Sequence, residues 1–132
     1  MRVGVDLVDV AAFRTRFDGR DDLLADTFSE AELAYCRSQR RPWTHLAARF
    51  AAREATLKAL GTGLRMGVNW RELEVRRERG QAPTMVLTGR SRAIALARGG
   101  SRVLLSLTHD GDYAMAQALL VGDLPDAGVG RT

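Results

Sequence analysis

Thr44-His-Leu-Ala-Ala-Arg-Phe-Ala-Ala-Arg-Glu-Ala-Thr-Leu-Lys-Ala-Leu-Gly61 is the stretch on which the fold turns. Thr44 can cap a helix at its start, and Gly61 can stop it. At roughly 100° per residue, Leu46, Phe50, Leu57 and Leu60 share one face, while Ala48, Ala52, Ala55 and Ala59 line much of the other. Such a helix packs on two sides, so the spacing predicts a central element with little open surface. Arg53 nevertheless falls within the leucine-rich stripe, with Glu54 and Lys58 along its edge. Charge placed beside core is costly and hints at chemistry.

Upstream, Val3, Val5 and Leu7 alternate with Gly4 and Asp6, which predicts a strand with Asp6 on the face opposite the apolar row. Asp9 then caps a helix carrying Val10, Phe13 and Phe17 that ends near Asp18-Gly19. Ser29 and Glu32 form a capping box ahead of Leu33, in a helix that must stop before Pro42. Downstream, Gly61, Gly63 and Gly67 make a loop. Leu73 and Val75 alternate within residues 70–76, and the turn Gly80-Gln-Ala-Pro83 joins them to Met85-Val-Leu87 as a hairpin. Ile94 and Leu96 lie in a short helix closed by Gly99-Gly100. Residues 103–107 and 113–121 read as the last strands, joined through Thr108-His-Asp-Gly-Asp112. Ala114, Ala116 and Ala118 leave room on one face of the last strand for a close helix. The expectation is an α+β domain over residues 1–121, a small, mainly antiparallel sheet packed on helices, with 122–132 a frayed tail.

A chain of 132 residues has room for one such domain, and 45% apolar with 27% charged residues is an ordinary globular balance. The longest nearly apolar stretch, residues 113–121, is interrupted by Gln117. It falls well short of the roughly 20 residues of a spanning helix, so no membrane partner is expected. Asp6 and Asp9 fall where a signal peptide would need its apolar core. Cys36 is the only cysteine, read as a small core residue; it allows no internal disulfide and no cysteine-based zinc site, consistent with a reducing cytoplasm. Twenty basic residues against 16 acidic give +4, which favours an acidic partner. Of those 20, 19 are Arg and one is Lys58. A position that stays Lys amid such a bias points to a need for an amine, because an ammonium can lose its proton and a guanidinium in practice does not.

Asp6 and Glu54 are two hard oxygen donors, the kind of set that holds magnesium together with water and a phosphate. The alternatives are a strand-end carboxylate bonded to backbone for Asp6 and a helical pair with Lys58 for Glu54. Gly61-Thr-Gly63 could let backbone amides approach a phosphate, although a glycine cap followed by a turn explains it more simply. His109, in a polar turn, could bind phosphate or be a solvated loop residue. His45, beside Pro42 and Trp43, reads as structural.

Val3-Gly-Val-Asp6 together with Phe50-Ala-Ala-Arg-Glu-Ala-Thr-Leu-Lys58 resembles the two-part signature of the 4'-phosphopantetheinyl transferases, in particular the short holo-acyl-carrier-protein synthase type. Phe28-Ser-Glu-Ala-Glu-Leu33, Ala59-Leu-Gly-Thr-Gly-Leu64, Trp70-Arg-Glu-Leu-Glu-Val75, the Gly80 to Pro83 turn, Leu87-Thr-Gly89 and Leu105-Ser-Leu-Thr-His109 follow that family's blocks in order, from about residue 2 to 121. The resemblance implies transfer of the phosphopantetheine arm of coenzyme A to a serine of an acyl carrier protein, of fatty-acid or polyketide type. It assigns Asp6 and Glu54 to Mg2+, and it assigns proton transfer to Glu54 and Lys58. Coenzyme A would be bound by Arg49, Lys58, Gly61, Gly63, Pro83 and His109. A homotrimer with sites between subunits is implied too. Arg53 stands where the family usually has Lys, Ala12 where relatives often carry an arginine, and Gly80-Gln-Ala-Pro83 where a direct Gly-Lys-Pro is common.

Two other functions compete. A small basic nucleic-acid-binding module would use the arginines, but these are interleaved with Asp and Glu, and 6% aromatic residues offer few stacking platforms. A carrier-binding scaffold without catalysis would have no use for Asp6, Glu54 and Lys58 together.

Overall fold

The computed structural model describes residues 1–122. In order they form β1 (Arg2–Asp9), α1 (Val10–Phe17), α2 (Asp21–Thr27), α3 (Glu30–Arg37), α4 (Pro42–Leu60), β2 (Leu73–Arg76), β3 (Thr84–Leu87), α5 (Gly89–Ala97), β4 (Arg102–Asp110) and β5 (Tyr113–Val121). Single 3-10 turns at Leu64–Met66 and Trp70–Glu72 lead from α4 to β2. The strands make one sheet in the order β1-β5-β4-β3-β2, antiparallel at every step. The α+β expectation therefore holds.

α4 organises two cores. Around its first half, Phe13, Phe17, Phe28 and Phe50 pack with Leu24, Leu33 and Leu46. The Phe13 and Phe17 rings stack at 4.6 Å, and Phe13 lies 5.4 Å from Phe50. Its second half lays Ala52, Ala55, Ala59 and Leu60 on Ala116, Ala118 and Leu120 of the sheet. Packing on both sides, as the periodicity predicts, buries most of the helix.

The structure differs from the sequence reading in three places. α4 begins at Pro42, with Arg41 rather than Thr44 as the flanking residue, because proline at the first helical turn is already held at a helical φ and has no N–H to leave unpaired. α2 occupies a stretch with too few apolar residues to show a period, and Asp21 and Asp22 in its first turn suit the positive end of a helix. β4 extends through His109 to Asp110, so His109 is a strand residue and the turn is tightened to Gly111-Asp112. The expected alternation in β1 holds, with Asp6 on the face opposite the apolar row, and the structure adds which face the helix covers. Val3, Val5 and Leu7 point away from α4 and are 57%, 51% and 61% exposed, while Gly4 and Asp6 face it. The predicted frayed tail, apart from Gly122, lies outside the described residues.

Size decides that orientation. A Cβ at Gly4 would overlap the Ala55 carbonyl oxygen and come within 2.7 Å of the Ala59 amide nitrogen. Paired with Gly4 across the sheet is Ala118, itself fully buried. The small residues thus form the bed on which α4 lies. Gly4→Ala should destabilise the chain by about 3 kcal/mol, roughly 10 °C in Tm, because the clash is with backbone that cannot rotate away. Thermal melts would check this; an unchanged Tm would mean that the helix does not lie this close.

Candidate active site

Lys58, near the end of α4, reaches across to β1. Its Nζ donates to the Val5 carbonyl at 2.9 Å and to Asp6 Oδ1 at 3.0 Å. The Asp6 side chain is 16% exposed and that of Lys58 55%, so the pair sits at the rim of the helix–strand seam. Glu54, one turn earlier, is half-buried at the same seam. Burial pushes its carboxyl up from the ordinary range, and the Asp6 carboxylate pushes it further, against the pull of Lys58 and Arg16. The three residues named from the sequence therefore meet. Lys58 makes its ion pair with Asp6, which replaces the simple helical pair with Glu54 as the reading of both residues. Arg16 brings α1, with exposed Ala12 and Arg14, to the edge of the same seam.

A raised carboxyl has a signed consequence. The folded chain holds the Glu54 proton more tightly than the unfolded chain does. Stability therefore falls as pH rises from the ordinary carboxyl value through the raised one, and the loss persists at neutral pH. Glu54→Gln should accordingly raise the Tm of the metal-free protein near neutrality and flatten its acid limb. A lowered Tm across the whole range would contradict this.

Arg49 lies roughly 180° around α4 from Lys58. It is 7% exposed, its guanidinium sits 4.5 Å from the Tyr35 ring centroid, and its Nε has no hydrogen-bond partner. It lines a cleft of about 340 Å³ with Tyr35, His45, Arg77, Pro83 and His109. Arg49, Pro83 and His109 are thus together as expected, on the far side of the helix from Asp6, Glu54 and Lys58. Gly61 and Gly63 join neither group as lining residues. Gly61 ends α4 at φ 74° and carries the Arg2 guanidinium against it, with Arg2 Nε donating to the Ala59 carbonyl at 2.6 Å.

Arg53 is not part of either group. Its guanidinium is fully buried against the Glu32 carboxylate and 4.7 Å from the Phe28 ring centroid. Glu32 also accepts from the Ser29 and Val75 amides at 3.0 Å each, tying α3, α4 and β2 together. A buried arginine in a leucine stripe demands such an acid, and that demand was the sequence signal for Glu32. His45, which the sequence presents as structural, also lines the Arg49 cleft. It faces His109, and its spacing of four from Arg49 on one helix was the available clue. Cys36 is buried with its thiol pushed up to about 11, mainly by burial, and is an inert core residue as expected.

Comparison with known proteins gives this geometry a context. The family model described as the 4'-phosphopantetheinyl transferase superfamily matches residues 2–118. The chain belongs to that superfamily. Among its relatives, the holo-[acyl-carrier-protein] synthase of Geotalea daltonii is 44% identical over 119 residues, covering 89% of this chain and 94% of that protein. The protein of the same name from Desulforudis audaxviator is 46% identical over 123 residues, covering 91% and 92%. The structure of the Chronobacterium ammoniagenes ACPS–CoA complex is similar at a TM-score of 0.77 and 31% identity, covering 93% of this chain and 98% of that one. A Plasmodium yoelii acyl carrier protein synthase shares the fold at a TM-score of 0.80 and 24% identity, covering 93% and 96%. Within the superfamily match lie both signature blocks and the residues of both faces of α4.

Proposed function

We propose that this chain is a holo-acyl-carrier-protein synthase, transferring the 4'-phosphopantetheine arm of coenzyme A to a serine of an acyl carrier protein. The observation that carries the reading is the meeting of Lys58 with Asp6, beside Glu54, at the α4–β1 seam of a chain this similar to the named synthases. The serine oxygen attacks the pantetheine-bearing phosphorus, and the bond from that phosphorus to the bridging oxygen breaks. Adenosine 3',5'-bisphosphate leaves. Glu54, its carboxyl raised by burial and by Asp6, takes up the serine proton directly or through water. Lys58 hydrogen-bonds the pyrophosphate and gives a proton to the departing phosphate.

Asp6 and Glu54 also suit Mg2+. Two carboxylates that repel each other across a half-open seam gain from a cation, and among the described residues there is no third His, Cys, Asp or Glu to build a closed protein cage. One or two carboxylates completed by phosphate and water is the habit of magnesium. Bound there, the ion would neutralise charge developing on the pyrophosphate. The reading predicts that, with coenzyme A present throughout, adding magnesium raises the Tm of the parent chain and leaves that of Glu54→Gln nearly unmoved.

A homotrimer fits two observations. The cationic cleft and the carboxylate seam lie on opposite sides of α4, so one ligand touching both needs two copies of the chain. Val3, Val5, Leu7, Tyr113 and Met115 also leave an apolar sheet face exposed. A cytoplasmic enzyme serving fatty-acid or polyketide carriers agrees with a lone buried cysteine and with a +4 charge that steers acidic carriers. Among the described residues no helix is long and apolar enough to cross a membrane. The deciding experiment is intact mass of apo acyl carrier protein after incubation with the chain, coenzyme A and magnesium. A gain of one phosphopantetheine arm, lost with chelator, is expected; no gain across fatty-acid and polyketide carriers would overturn the reading.

A further inference from the structure

Two clefts meet at a pair of imidazoles. His45 in the first turn of α4 and His109 on β4 have ring centroids 6.2 Å apart. From them one cleft runs past Arg49 and Arg77, and the other past Arg40, Arg41 and Thr44 to the start of α4. The elements around His45 present Tyr35 from α3, Arg40 and Arg41 from the segment before α4, Arg49 from the next turn, His109 from β4 and Arg77 from the β2–β3 turn. Neither cleft is lined by a carboxylate. The start of α4 adds the positive end of its dipole, with no acid in the first turn and no side-chain cap. Buried Arg49 Nε has no partner. Arg49 and Arg77 also border a separate cleft that holds Glu32, Glu74 and Glu78, but on the imidazole side the cations gather without a lining carboxylate, and an external anion would supply the counter-charge there.

His45 responds to that environment. Burial holds its imidazole below the ordinary value, and Arg49 and His109 push it the same way. A dianion among these groups reverses the balance, since a nearby opposite charge favours the protonated ring.

We propose that His45 is a proton-linked determinant of nucleotide affinity: a dianionic phosphomonoester entering between His45, His109 and Arg49 draws a proton from solvent onto His45, which then donates to the phosphate. The proposal rests on the coenzyme A reading, because the 3'-phosphate is the phosphomonoester that this ligand carries. The proton returns to solvent on release, and no bond to phosphorus is made or broken. His45 belongs to the cleft opposite the α4–β1 seam, so it acts on ligand affinity and leaves the chemical step to Glu54 and Lys58.

Calorimetric titration with adenosine 3',5'-bisphosphate tests this, in buffers of different ionisation enthalpy at about pH 7 and about pH 8.5, where the phosphate is already dianionic. Binding to the parent chain should take up protons near pH 7 and weaken as pH rises. His45→Gln should abolish the uptake and weaken binding about tenfold near pH 7, the size of one charge-assisted hydrogen bond, and by less than about twofold near pH 8.5. In arm transfer the same variant should raise KM for coenzyme A in proportion, with kcat held, while KM for 3'-dephospho-coenzyme A stays at its parental value. His45→Phe repeats the comparison if the amide variant folds poorly. Unchanged proton uptake in a folded variant, or parental affinity that is flat with pH, would overturn the proposal. If no carrier is modified yet bisphosphate binding still takes up a proton through His45, the transferase reading falls and the anion seat stands.

Discussion

Lys58→Arg is expected to lower turnover by about 10² to 10⁴ with coenzyme A saturating, the usual span of a general acid's contribution. The guanidinium keeps the positive charge and can still meet a phosphate, but its proton is held too tightly to give away. The variant should fold normally. Lys58 is 55% exposed in its pair with Asp6, and exposed ion pairs are worth only about 0–1 kcal/mol. Single-turnover transfer to apo carrier, followed by mass, separates the loss of chemistry from a loss of binding. Near-parental turnover at saturation would remove Lys58 as proton donor and leave it an electrostatic contact with the pyrophosphate.

Glu32→Gln should cost about 3–5 kcal/mol, the largest stability loss expected from a single neutral replacement in this chain, because it leaves the Arg53 charge buried without its counter-ion. Arg53 is fully buried and has an Nε with no partner, so little else can absorb that charge. Replacing both residues by apolar ones would not restore stability. The Glu32 oxygens also accept from the Ser29 and Val75 amides, which would be left unpaired. Urea unfolding should show a lower midpoint at unchanged slope. A midpoint within experimental error of the parent would mean that the pair is not desolvated in solution.

Much of this was legible in residue order. α4 and its two packed sides followed from a 3.6-residue period held over a long stretch, and Ser29 with Glu32 announced the start of α3. β2, β3 and β5 followed from alternation between turn residues. Asp6, Glu54 and Lys58 stand out because charge sits where pattern wants none, and Lys58 because it alone escapes the arginine bias. What pattern could not give was the side from which each strand is covered. Alternation says that Val3 and Val5 share a face; it does not say whether a helix lies there, and the deciding quantity was the missing side chain of Gly4. Asp110, Gly111 and Asp112 signal a turn that draws His109 into it, whereas the strand pairing of His109 with Ala114 depends on a partner that residue order does not specify. Nothing in residue order pairs His45 with His109 of β4, because the two lie far apart in the chain.

The outward row on β1 bears on how the strand finds its alignment. A slip of one residue against β5 would turn Val3 and Val5 toward α4, where the backbone of Ala55 already leaves no room for a single carbon at Gly4. In most half-buried strands grease selects the frame; here bulk vetoes the wrong one, and the sticky residues remain at liberty to face outward. Alignment and adhesion are thereby written on opposite sides of the same eight residues, so substitutions on the outer side can alter what β1 adheres to without disturbing where it sits.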